Sequence, residues 1–207
     1  MRLIYLAYIV PASVCIPLIA GWWRYRRLPG YARLILAYLV IAGIVNIIAS
    51  LLAVRRINNM PVLHIYTLVE FVLLAVFYKI ILEGKIKKFI PWLIGGFALL
   101  CIAYATFFGS IYAYNIIPRS LESFIIGSLA VIFFFTQMNT DIRSIEPLLW
   151  INAGLLLYFS GSFLLFLFSE VLSRAGTVND LAWIMHATLV LLMYLLFAAA
   201  FIRTKKI

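Results

Sequence analysis

The chain has 207 residues, 66% hydrophobic and 12% charged, with a formal net charge of +10 and a mean hydropathy of +1.11. Soluble domains carry roughly 45–50% apolar and about 25% charged residues, so this chain has too few charges to clothe a water-facing surface. Disorder is excluded by the same composition, because it requires low hydrophobicity.

What remains is a polytopic membrane protein. A span needs about 20 mainly apolar residues. Seven runs qualify: Leu3–Trp23, Leu34–Val54, Val62–Leu82, Phe89–Phe108, Leu121–Gln137, Pro147–Phe168 and Leu181–Ile202. Together they leave only about 60 residues for loops and tails, too few for a soluble domain. The expectation is one transmembrane helical domain over residues 1–207, a seven-transmembrane helix bundle.

In the first span, Pro11 and Pro17 fall inside the apolar run and predict a kink. Ala12-Ser13-Val14-Cys15 resembles a processing site only faintly. The positive charge follows the run, at Arg24, Arg26 and Arg27, whereas a signal peptide carries it in front. The first span is therefore read as retained. Pro61, Pro91, Pro118 and Pro147 are read as opening later spans, where a missing N–H costs little. Cys15 and Cys101 both lie in spans and indicate no disulfide framework.

Lys and Arg near span ends set orientation. Arg24, Arg26, Arg27, Arg33, Lys79, Lys85, Lys87, Lys88, Arg143, Arg203, Lys205 and Lys206 fall on one side. Only Arg2, Arg55, Arg56, Arg119 and Arg174 fall on the other. The richer side is expected to face the cytoplasm, with the N-terminus outside and the C-terminus inside. The basic excess thus reads as orientation, and no nucleic-acid partner is expected.

Ionisable groups within a span cost about 2.5–3.5 kcal/mol on insertion scales, so they are functional candidates by default. Glu70 is the clearest. His64, Tyr66, Thr67 and Glu70 form a polar arc at helical spacing on the third span. Trp183 and His186 share a face of the seventh. Asn46 lies within the second. Arg119 and Glu122 open the fifth, where Glu is also an ordinary first-turn residue. Ser160 and Ser162 flank Gly161 in the sixth span, a spacing that permits close helix packing. Asn139, Asp141 and Asn152 fall toward the other side. With the orientation above, the costly groups gather in the outer half, which predicts an outward-facing polar pocket.

Two His and two Glu could hold zinc only if four helices converged, since no compact motif joins them. No metal site is read. The paired last-helix histidines of seven-helix zinc hydrolases are missing, because only His186 is there. The last span lacks the lysine of a retinal protein. No phosphate loop or nucleophile elbow is present, and no cofactor can be named. The order of spans admits a three-plus-one-plus-three repeat, without the Pro-Gln motif or proline tetrad of the transporters built that way.

The first functional reading is a heptahelical sensor. It would bind a small ligand in the outer pocket and signal through a separate cytoplasmic protein by helix shifts. The alternatives are a small-solute or proton-coupled transporter, with Glu70 as the protonatable group, and a membrane enzyme acting on lipid with Glu70 and His186 as acid and base. Helical spans place it in an inner rather than an outer membrane.

Overall fold

In the computed structural model, residues 4–138 and 142–204 are described, with the backbone alone for 142–144. Arg2, Asn139, Asp141, Lys205, Lys206 and the Arg143 side chain lie outside the described residues. All described elements are helical. Seven are long and apolar enough to cross a membrane. They are α1 (Tyr5–Trp23), α2 (Gly30–Val54), α3 (Met60–Ile81), α4 (Gly84–Phe108), α5 (Ile116–Thr136), α6 (Ile142–Leu167) and α7 (Thr177–Arg203). The chain is a multi-pass helical membrane protein.

Most helices start before the apolar runs do. α2, α4 and α7 begin at Gly30, Gly84 and Thr177, several residues ahead of Leu34, Phe89 and Leu181. The added turns carry Arg33, Lys85, Lys87, Lys88 and Asp180. A helix satisfies its own backbone, so it need not end where hydrocarbon ends. This corrects the reading of two prolines. Pro61 lies in the first turn of α3, but Pro91 and Pro147 lie inside α4 and α6.

α1 is interrupted at Ser13 and Val14. Pro17 has no N–H for the Ser13 carbonyl, and its ring crowds that oxygen. The Ile16 N–H takes the carbonyl instead, at 3.0 Å, one residue short of the α-helical register. At the far end of α2, Arg56 takes φ +58°. The Ile57 N–H bonds the Leu52 carbonyl at 2.9 Å and the Arg56 N–H bonds Ala53 at 3.0 Å. That pair of bonds closes a helix with a left-handed residue just past its end.

The odd-numbered helices begin at one end, here called upper. There Tyr5 of α1 bonds Thr188 of α7 at 2.9 Å. At the lower end Arg203 of α7 pairs with Glu146 of α6 and stacks over Trp150, 5.1 Å from the ring centroid. Six helices pack as a ring, α1–α2–α3–α5–α6–α7, and α7 closes it against α1. α4 lies outside, mainly against α3, and buries only Ile90 and Phe97. Phe97 stacks on Phe71 of α3 at 3.9 Å between centroids. α5 is the most enclosed helix, half buried along its span. Phe71, Phe77, Phe133, Phe159, Phe197 and Phe201 fill the centre, all fully buried.

Candidate functional site

Glu70 lies eleventh of the 22 residues of α3. It is 1% exposed, and Glu122 of α5 is 0% exposed. Between them stands Arg119, one helical turn before Glu122. Its Nη1 donates to Glu70 Oε2 and, at 2.7 Å, to Glu122 Oε2. Its Nη2 donates to the Tyr158 hydroxyl of α6 at 2.9 Å. The Phe166 ring lies under the guanidinium, 5.0 Å away.

Glu70 Oε1 is held from two more sides. Tyr38 of α2 donates to it at 2.8 Å and Tyr66 of α3 at 3.2 Å. Thus α2, α3, α5 and α6 converge on one ionic cluster. Burying ions is tolerated only when partners and hydrogen bonds replace water. Most of this cluster meets that condition. One atom does not: Glu122 Oε1 is buried without a partner, as are the Ser120 and Ser123 hydroxyls beside it on α5. Two carboxylates against one guanidinium leave a formal surplus of one negative charge.

Above the cluster, Asn115 donates to Thr67 Oγ1 at 2.8 Å, and Thr67 donates to the Leu63 carbonyl at 3.0 Å. His64 meets the Ala113 carbonyl through Nε2 at 2.9 Å. Beside the cluster, His186 of α7 meets the Ser162 hydroxyl through Nδ1 at 2.9 Å. Its ring packs against Tyr158 at 5.5 Å, Phe166 at 5.1 Å and Trp183 at 5.7 Å. The aromatic contacts therefore tie α7 to the phenol that Arg119 holds. Trp183 turns its N–H to Asn179, at 2.8 Å, at the start of α7.

Below the cluster lies a second polar layer. Tyr78 donates to Asn152 Oδ1 at 2.9 Å, and Asn152 Nδ2 donates to the Ala130 carbonyl at 3.0 Å. Eight residues separate Tyr78 from Glu70, about 12 Å along the helix. This layer joins α3, α5 and α6 without a charge.

The structure brings Glu70, Tyr66, Arg119 and Glu122 into direct contact, with His186 one ring away, Trp183 beyond it and His64 at the upper rim. Among the described residues no hydrogen bond joins Asn46 to them; it is exposed on α2, although it shares the helix face of the buried Leu39, Ala42 and Ala49. Sequence reading missed Tyr38, Tyr158, Asn115 and Tyr78. The three tyrosines stand in apolar runs with no charged neighbour at helical spacing, and Asn115 lies ahead of the fifth run. Among the described residues, no three His, Cys, Asp or Glu side chains gather as a metal-holding group. A surface hollow of about 560 Å³ lies elsewhere, at the lower end, lined by Trp22 to Arg27.

The chain matches no family model, no curated protein and no solved structure.

Proposed function

We propose that the protein is a heptahelical sensor whose ligand engages the Glu70–Arg119–Glu122 cluster from the upper, outward end. The single observation that supports this is the unpartnered buried oxygen of Glu122 in a cluster one positive charge short. A low-dielectric interior favours neutralising that carboxyl, by a proton or by a cationic group that reaches it. The rings of Tyr158 and Phe166, which contact Arg119, suit an organic ammonium through cation–π attraction. The cluster side chains touch one another, so a ligand entering between them must displace Arg119 from a carboxylate. That displacement alters contacts on three helices at once, which supplies differential affinity between two states. Output then needs a separate cytoplasmic protein at the basic lower end, with the N-terminus outside and the C-terminus inside.

Thermal-shift titration of the purified protein with a panel of small amines and amino acids tests this reading. Stabilisation of the wild type that is lost in both Glu70→Gln and Glu122→Gln is the expected result. No shift with any amine, or equal shifts in both variants, overturns it. A fluorescent-protein fusion at the C-terminus should be bright if that end is cytoplasmic.

The Tyr78–Asn152 layer favours a second reading, proton-coupled transport, because polar groups then continue past mid-depth. Proteoliposomes with an imposed pH gradient separate the two. Glu70-dependent proton flux or solute accumulation selects transport.

A further inference from the structure

The connection between α1 and α2 reads Trp22-Trp23-Arg24-Tyr25-Arg26-Arg27-Leu28-Pro29-Gly30, and Arg33 follows on the first turn of α2. Four arginines fall within ten residues and no acid lies among them. Leu28 is 2% exposed, so the loop is pinned to the bundle by one buried side chain. Its neighbours point outward: Trp22 is 73% and Trp23 82% exposed, with Arg26, Arg27 and Arg33 exposed as well.

The cluster is ordered by ring contacts. Trp22 and Tyr25 lie 5.8 Å apart between centroids. The Arg24 guanidinium stands 5.9 Å from the Trp23 ring and that of Arg33 stands 5.3 Å from Tyr25. None of the four arginines makes an ion pair among the described residues. Arg24, Arg26 and Arg27 line a hollow of about 560 Å³ together with Trp22, Trp23 and Tyr25.

Tryptophan and tyrosine settle at the headgroup level of a bilayer. Arginine is the side chain best shaped for phosphate, with a planar fork of donors. A hollow that combines unpaired guanidinium groups with exposed indoles, at the end of a spanning helix, matches an anionic amphiphile in charge and in polarity. We infer that the Trp22–Arg33 loop is a binding site for the phosphate headgroup of an anionic phospholipid. The arginines take the phosphate, and the exposed faces of Trp22 and Trp23 cover the upper acyl chain. The site lies at the opposite end from the His64 rim, so it is independent of the ligand reading above.

The test is lipid retention by the full chain, reconstituted in phosphatidylcholine nanodiscs with equimolar phosphatidylglycerol and read by native mass spectrometry after extraction. The wild type should retain phosphatidylglycerol about tenfold over phosphatidylcholine. Each of Arg24→Gln, Arg26→Gln and Arg27→Gln should lower that preference roughly fivefold or less, and the triple variant should abolish it. Trp23→Ala should weaken retention of both lipids. Lys85→Gln with Lys87→Gln and Lys88→Gln removes equal charge from the first turns of α4, also at the lower end, and should leave the preference intact. A preference that falls equally in the lysine variant means bulk charge and overturns the site. Displacement of the lipid by millimolar inorganic phosphate means a free-anion site and overturns the lipid assignment.

Discussion

Arg119 Nη2 and the Tyr158 hydroxyl lie 2.9 Å apart, across the contact between α5 and α6. With Nη1 committed to Glu70 and Glu122, one guanidinium joins three elements inside a bundle that crosses a membrane. A charged side chain at such depth survives only through its partners. It follows that the cluster behaves as a unit, and that its members cannot be removed singly at small cost.

Arg119→Gln should therefore be the most damaging substitution in the core. Removing one partner of a buried ionic group costs about 3–5 kcal/mol, because the other charge is left uncompensated. Two carboxylates would be stranded here. Thermal unfolding in detergent should show a large fall in Tm. Adding Glu70→Gln and Glu122→Gln to that variant should recover much of it. A triple variant no more stable than the single one would show that Arg119 acts through packing on Phe166 rather than through charge.

Tyr38 and Tyr66 both donate to the same oxygen of Glu70, so their losses should not add simply. Hydrogen bonds to charged groups contribute about 1.5–3 kcal/mol. Tyr38→Phe should cost about 1–2 kcal/mol, being the shorter bond and the tie to α2. Tyr66→Phe should cost less. The double variant should exceed the sum, since Glu70 Oε1 then loses both its donors. A double-mutant cycle by chemical or thermal unfolding measures the excess.

The seven spans were legible from hydropathy alone, because bilayer thickness fixes their length. Glu70, Arg119 and Glu122 were legible too, as charges in apolar runs. Their burial was not, since hydropathy shows no neighbouring helix. Nor was their contact legible, since α3 and α5 meet only through the ring order of the bundle. Asn46 resembled the others by residue type and shares the helix face of the buried Leu39, Ala42 and Ala49, yet it is exposed there. Composition distinguishes a polar residue but not whether a neighbouring helix covers it. Tyr38, Tyr158 and Tyr78 escaped notice for the opposite reason. Each is mostly apolar, and its single hydroxyl matters only where another helix supplies a partner.

The lower polar layer should be cheaper to lose than the cluster. Tyr78→Phe leaves Asn152 Oδ1 without its donor, but no charge is stranded. Interhelical hydrogen bonds in membranes average about 0.6 kcal/mol, and that is the expected scale. Asn152→Leu should cost more, about 1–3 kcal/mol, because it leaves the Tyr78 hydroxyl without its acceptor and removes the second bond to the Ala130 carbonyl. Tm values of the two variants and their double settle the order. If Tyr78→Phe costs as much as Asn152→Leu, the carbonyl of Ala130 does not depend on Asn152.

Glycines give a contrast that depends on packing alone. A Cβ on Gly21 of α1 would come within 2.6 Å of Leu36 Cδ1 and 3.0 Å of Phe201 Cδ2. The leucine methyl can swing aside, but Phe201 is fully buried and its ring has little room. Gly21→Ala should therefore overpack the α1–α2–α7 contact and cost about 1–3 kcal/mol. Gly95 and Gly96 lie on α4, with nothing within 4 Å of a Cβ placed there. Alanine at those positions should be neutral or stabilising by about 0.5–1 kcal/mol, since glycine weakens a helix interior. The two effects have opposite signs although the substitution is the same. Measured side by side in one detergent, a destabilised Gly95→Ala with a neutral Gly21→Ala would contradict the placement of α4 outside the ring and of α1 against α7.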